Sequence, residues 1–210
     1  MLESYDFNLV EKFVREAISN KGITGERYNQ IRICPVNKVM CSIIKNASNG
    51  KLDVTGKYWA LEGTSIYHEY LRHSNPDIER SRGQIPFAVE DYVKMYQKIM
   101  NPDFVEYIAP PNNNLQRHRL ALIAKDEGYV VVIEQVGENK NPNIVPPMML
   151  HMTEKRIEKV LHGEQSVSDL IYENDIEKMP SEEQRLMNIQ NRVNVKAYYE
   201  NEIEMGEYAL

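Results

Sequence analysis

The chain has 210 residues, is 42% hydrophobic and 27% charged, and carries a formal charge of −6. That composition supports a packed globular core, and no apolar run approaches the roughly 20 residues of a membrane span. The acidic balance disfavours a general nucleic-acid binder, although it is uneven: residues 1–54 sum to +2, residues 55–152 to −2 and residues 153–210 to −6. The body is therefore nearly neutral, and a local basic patch remains compatible with it.

The opening "MLESYDFNLVEKF" carries acids where a signal peptide would carry a basic and then an apolar stretch, which predicts a cytoplasmic protein. Phe7, Val10, Phe13, Val14, Ala17 and Ile18 recur at helical spacing, with Ser4 as the expected cap and Asn20–Gly22 as the stop. "IRICPV" at Ile31–Val36 and "KYWAL" at Lys57–Leu61 read as short strands around the loop Asn46–Lys51. Cys34 and Cys41 lie seven apart, which is neither a zinc spacing nor a disulfide framework, and both are expected to be buried and inert.

"SIYHEYLRH" predicts a short helix over Ser65–His73, ended by "SNPD". A second follows "GQIP": Val89, Tyr92, Val93, Tyr96, Ile99 and Met100 form one apolar stripe, acids lie early and lysines late, and Pro86 is placed in the first turn. The texture then turns β-like. "FVEYIAPP", "RHRLALIAKDEG", "YVVVIEQVGENKN" and "NIVPPMMLHM" are four strand-type runs, with Gly128 suited to a tight hairpin. "TEKRIEKVLHG" predicts a helix between Thr153 and Gly163. A capping box at Ser181–Gln184 opens what reads as one long C-terminal helix. The expected fold is α+β: N-terminal helices, a four-stranded antiparallel meander, then C-terminal helices. It divides into an N-terminal extension (1–54), a central α+β domain (55–163) and an acidic helical extension (164–210).

Candidate chemistry clusters in the central part. His68 and Arg72 share a helix face, while His73 points about 140° away unless it leaves the helix at its end. A histidine base and acid beside Arg72, Arg80 or Arg82 are the parts that metal-free RNA cleavage needs. The competing reading is an ordinary helix end whose histidine packs near carboxylates. In "QRHRLALIAK", alternation places Arg117, Arg119, Ala121, Ile123 and Lys125 on one face, so a cationic rim for phosphate and a solvated strand end are both open. Glu134 lies on an apolar face and needs a partner or an exposed edge. Thr153 has a hydroxyl suited to a phosphate oxygen or to capping, and His151 is the weakest candidate. No glycine-rich phosphate loop, hydrolase elbow or zinc-type histidine pair occurs, so neither metal nor cofactor is expected.

"SIYHEYLRHSNPD", "IPFAVEDYVKMYQKIMNPDFVEY", "RLALIAKDEGYVVVIEQV" and "MMLHMT" together resemble the phage-associated branch of the barnase–EndoU–colicin–RelE-like ribonuclease superfamily, over roughly residues 57–153. The resemblance implies His68, His73 and Thr153 as catalytic residues and Arg72, Arg117, Arg119 and Lys125 as contacts to substrate. It also implies an endoribonuclease of phage or mobile-element origin, a toxin among them, that works by 2′-hydroxyl attack. The alternative is a non-catalytic phage protein on the same scaffold, which binds and inhibits a host or defence protein through the acidic C-terminal helix. RNA or a protein, and no membrane, are the expected partners.

Overall fold

A computed structural model describes residues 6–26, 29–108, 117–136, 141–171 and 181–204. The chain is α+β, with helices around two sheets rich in antiparallel pairing. No helix among the described residues is long and apolar enough to cross a membrane.

Helix α1 (Phe7–Ser19) buries Val10, Phe13, Val14 and Ala17, as its spacing requires. Its cap is Asp6, whose carboxylate accepts the N–H groups of Asn8 and Leu9; the expected cap Ser4 lies outside the described residues. Strands β1 (Gln30–Pro35) and β2 (Tyr58–Glu62) pair antiparallel. Between them α2 (Lys38–Ala47), capped by Asn37, occupies a stretch that carried no expected helix. Helix α3 (Gly63–His73) runs directly out of β2, and the short α4 (Pro76–Ser81) follows with Pro76 in its first turn. Helix α5 (Val89–Ile99) begins three residues after Pro86, and the Asp91 carboxylate accepts the Ala88 N–H at 2.6 Å.

The main sheet runs β7 (Met148–His151), β5 (Tyr129–Val136), β4 (Arg117–Ala124), β3 (Phe104–Ile108), β8 (Val193–Asn194), with every pairing antiparallel. It has five strands where four were expected. The added strand comes from the stretch read as one C-terminal helix. That stretch is instead α8 (Glu182–Gln190), β8 and α9 (Val195–Glu204). Local helix propensity loses here to long-range pairing: Val193 and Asn194 face Val105 and Phe104, and the Asn194 side chain then caps α9 through the Ala197 N–H. The "NIVPPMMLHM" run also divides. Asn143–Ile144 forms β6, which pairs parallel with β2 in a second, three-stranded sheet, and only Met148–His151 joins the main sheet.

The main sheet is covered on both faces. Leu120, Leu122 and Ala124 of β4 pack with residues of α1, α2, α3 and α5 in one core. Ala121 and Ile123 pack with α6 (Glu154–Leu161) and α7 (Val167–Ile171) in another. Residues of both expected extensions belong to the first core, from Val10 to Val195. Cys34 is buried and Cys41 half-buried; burial first, and Asp53 second, push the Cys41 thiol up.

Candidate functional site

Arg119 and the histidine-bearing helix α3 lie on opposite faces of the main sheet. Ile66 anchors α3 in the first core, and α3 packs against α1, α4, β2 and the edge strand β7. Arg119 shares the face of Ala121 and Ile123, which belong to the second core. The Arg119 guanidinium bonds Glu134 at 2.7 Å, directly across from it in the register. Glu134 thus has the partner its apolar face requires. The side chain of Arg117 lies outside the described residues. Lys125 is exposed beyond the end of β4, in the turn to β5.

The two histidines of α3 also diverge. His68 is exposed, with its ring centre 6.1 Å from that of Tyr67, and Arg72 is exposed one turn on. His73 is 9% exposed and sits between acids: Nδ1 lies 3.0 Å from Glu79 and Nε2 3.4 Å from Glu69. The second approach is close enough for attraction but does not form a hydrogen bond, and among the described residues that Glu69 oxygen has no hydrogen-bond partner. Arg82 reaches the other oxygen of Glu79 at 3.3 Å. Burial pushes the Glu69 carboxyl up, with His73 and Arg72 partly opposing. Both imidazole nitrogens therefore face carboxylates, and neither is presented to solvent.

A strap over Arg82–Ala88 links this cluster to the β7 edge. Phe87 N–H donates to the His73 carbonyl at 2.7 Å, Ile85 N–H donates to the His151 carbonyl, and Gln84 pairs with Met152. The Phe87 ring lies between His73 and His151, at 5.9 and 6.2 Å between centres. The His151 ring lies tilted against Tyr129, with centres 4.6 Å apart, and the Tyr129 hydroxyl donates to Asp91 at 2.9 Å. The His151 Nδ1 is buried 3.7 Å from Asp91 and, among the described residues, has no hydrogen-bond partner, and burial lowers the imidazole pKa. Thr153 occupies the cap position of α6, but its hydroxyl does not cap. It donates to the Gly83 carbonyl of the strap at 3.0 Å.

Sequence reasoning missed Glu106, which is fully buried and bonded by Arg192 through Nε at 2.8 Å and through Nη2. Arg192 Nη1 also donates to the Val160 carbonyl. The signal was present: in "FVEYI", Glu106 alternates with Phe104 and Ile108, which is the pattern that singled out Glu134. Exposed apolar side chains were missed as well. On α8, Glu183, Leu186, Met187 and Gln190 form an exposed stripe at i, i+3, i+4 and i+7, with Leu186 53% and Met187 45% exposed. Among the described residues no group of three or more histidines, cysteines or carboxylates is arranged to hold a metal ion.

No family model, curated protein or solved structure matches the chain.

Proposed function

We propose that this protein works by binding another protein and not by cutting RNA. The observation that carries the reading is the separation of the candidate catalytic groups. His73 is enclosed by Glu69 and Glu79 on one side of the main sheet, while Arg119 is held by Glu134 on the other. Acid–base cleavage needs a base, an acid and a cation around one phosphate. Two covered sheet faces keep these groups apart. The second core's helices occupy the face that Arg119 shares with Ala121 and Ile123.

The exposed stripe of α8 supplies the binding surface. Leu186 and Met187 stand in solvent beside Glu182 and Glu183, and an apolar pair flanked by charge is the pattern of a helix that docks in a groove. In the setting of the ribonuclease resemblance, this is a phage protein that keeps the scaffold and engages a host or defence protein. The test is affinity capture from host extract with the wild type and with Leu186→Glu/Met187→Glu. One partner retained by the wild type and lost by the folded variant supports the reading. Capture unchanged by the variant refutes the α8 surface.

The endoribonuclease is the second reading, and one observation favours it: His68 and Arg72 are both exposed and four residues apart on α3. In that reading this pair, with Thr153 and Lys125, serves the 2′-hydroxyl attack, and His73 requires the strap to move.

A further inference from the structure

A second concave surface has a chemistry of its own. The β4–β5 turn, the strap and the start of α6 meet in a groove of about 370 Å³. Its walls are fixed to the end of the edge strand. Met152 N–H donates to the Gly128 carbonyl at 2.8 Å, and Ile85 N–H donates to the His151 carbonyl. Gly128, at φ +73°, is required there, since a Cβ would stand 2.3 Å from the Met152 carbonyl oxygen. The groove is therefore built by backbone contacts and does not depend on chance side-chain placement.

Its floor is apolar: Met152 and Ile157 lie at the bottom, and Ile85 stands 38% exposed at one wall. Its rim is acidic. Asp126, Glu154 and Glu158 are exposed and, among the described residues, none forms an ion pair, whereas Glu127 is taken by Lys98 at 2.6 Å. Among the described residues Lys125 is the one cation that lines it. The neighbouring cleft of about 310 Å³ on the same helix has the opposite sign, with Lys155, Arg156 and Lys159 beside Thr153. Helix α6 thus divides an acidic groove from a basic one.

We infer that the acidic groove receives a short basic segment of a partner protein, with one apolar side chain against Ile85 and Ile157 and lysines or arginines against Asp126, Glu154 and Glu158. The volume suits a few side chains and not a folded surface, so the occupant is an extended peptide. Charge complementarity sets its sign, and the apolar floor supplies the anchor. The inference rests on the binding reading but concerns a different surface from α8, so each can fail alone.

The test is amide NMR titration of the full chain with a nonapeptide of lysine and arginine carrying one central leucine. Controls are its central-serine and all-glutamate counterparts, and spermine. The basic leucine peptide is expected to shift Gly128, Glu154 and Ile157. Glu154→Lys/Glu158→Lys should weaken it about tenfold, since each reversal removes one weak exposed attraction and adds a repulsion of like size. Asp126→Lys, which lies in the β4–β5 turn and not within a helix, should weaken it about threefold by the same arithmetic, and Leu186→Glu/Met187→Glu should have no effect. Absence of shifts with the leucine peptide, equal binding of the glutamate or serine peptide, spermine binding as tightly, or indifference to both charge reversals overturns the inference. Capture that the α8 variant leaves unchanged, with the groove titration as expected, refutes the α8 surface alone.

Discussion

Arg192→Ala is expected to be among the most damaging single changes outside the apolar core. The Arg192 side chain is 7% exposed, and its guanidinium makes two bonds to Glu106, one at 2.6 Å to the Val160 carbonyl and one at 3.3 Å to the Leu161 carbonyl. Removing it leaves a carboxylate at 0% exposure with, among the described residues, only the Val167 N–H as partner, and uncovers the last carbonyls of α6. Breaking a buried pair from one side costs about 3–5 kcal/mol. With a urea slope of roughly 3 kcal/mol per molar, the unfolding midpoint should fall by more than about 1 M at unchanged slope. The deficit should also depend on pH. Burial already pushes the Glu106 carboxyl above the ordinary carboxylate range, with Arg192 opposing. Without Arg192 the native state binds a proton more tightly than the unfolded chain does. Stability is then retained at low pH and lost as pH rises through the folded pKa, so the deficit should shrink as pH falls from 8 to 5. Arg192→Met with Glu106→Leu should recover most of the loss. A midpoint change under about 0.3 M at pH 8, corresponding to about 1 kcal/mol by the same slope, or a deficit that ignores pH, would refute the reasoning.

Other outcomes follow from single contacts. His151 has its imidazole pKa lowered by burial, so the unfolded chain takes that proton first and stability is lost as pH falls; His151→Phe should reduce the drop in urea midpoint between pH 8 and 5 relative to the wild type. Gly128→Ala adds a Cβ at 2.3 Å from a carbonyl oxygen at φ +73° and should cost about 3 kcal/mol or more, whereas Gly50→Ala, at φ +75° with nothing within 4 Å, should cost only about 1–2 kcal/mol in thermal or urea unfolding. Tyr96→Phe removes a bond of 3.0 Å to the buried Ala60 carbonyl and should cost about 1 kcal/mol with the fold retained.

What could be read from sequence was what is encoded locally. The stripe of α5, the alternation of β4 and β5, the Gly128 turn and the bounds of α6 all depend on neighbours within a few residues, and all appear in the fold. What could not be read depends on distant partners. Nothing near Val193 announces that Val105 will pair with it, and nothing near Asn143 announces β2 as its neighbour. The α6 cap shows the same limit within one residue: the position of Thr153 was legible, but its hydroxyl's acceptor, Gly83, comes from 70 residues earlier. For the candidate site, the helical angle between His68 and His73 was legible and holds. The carboxylates that enclose His73 and the sheet that separates it from Arg119 are products of tertiary packing, so a list of suitable residue types overstated their cooperation.

The most direct test of the account is a metal-chelated RNA cleavage assay with purified wild type beside His68→Ala, His73→Ala and Arg119→Ala, each verified as folded. The account predicts no cleavage above the protein-free blank for any of them. Metal-independent cleavage by the wild type, leaving cyclic phosphate ends and abolished by these substitutions, would contradict it.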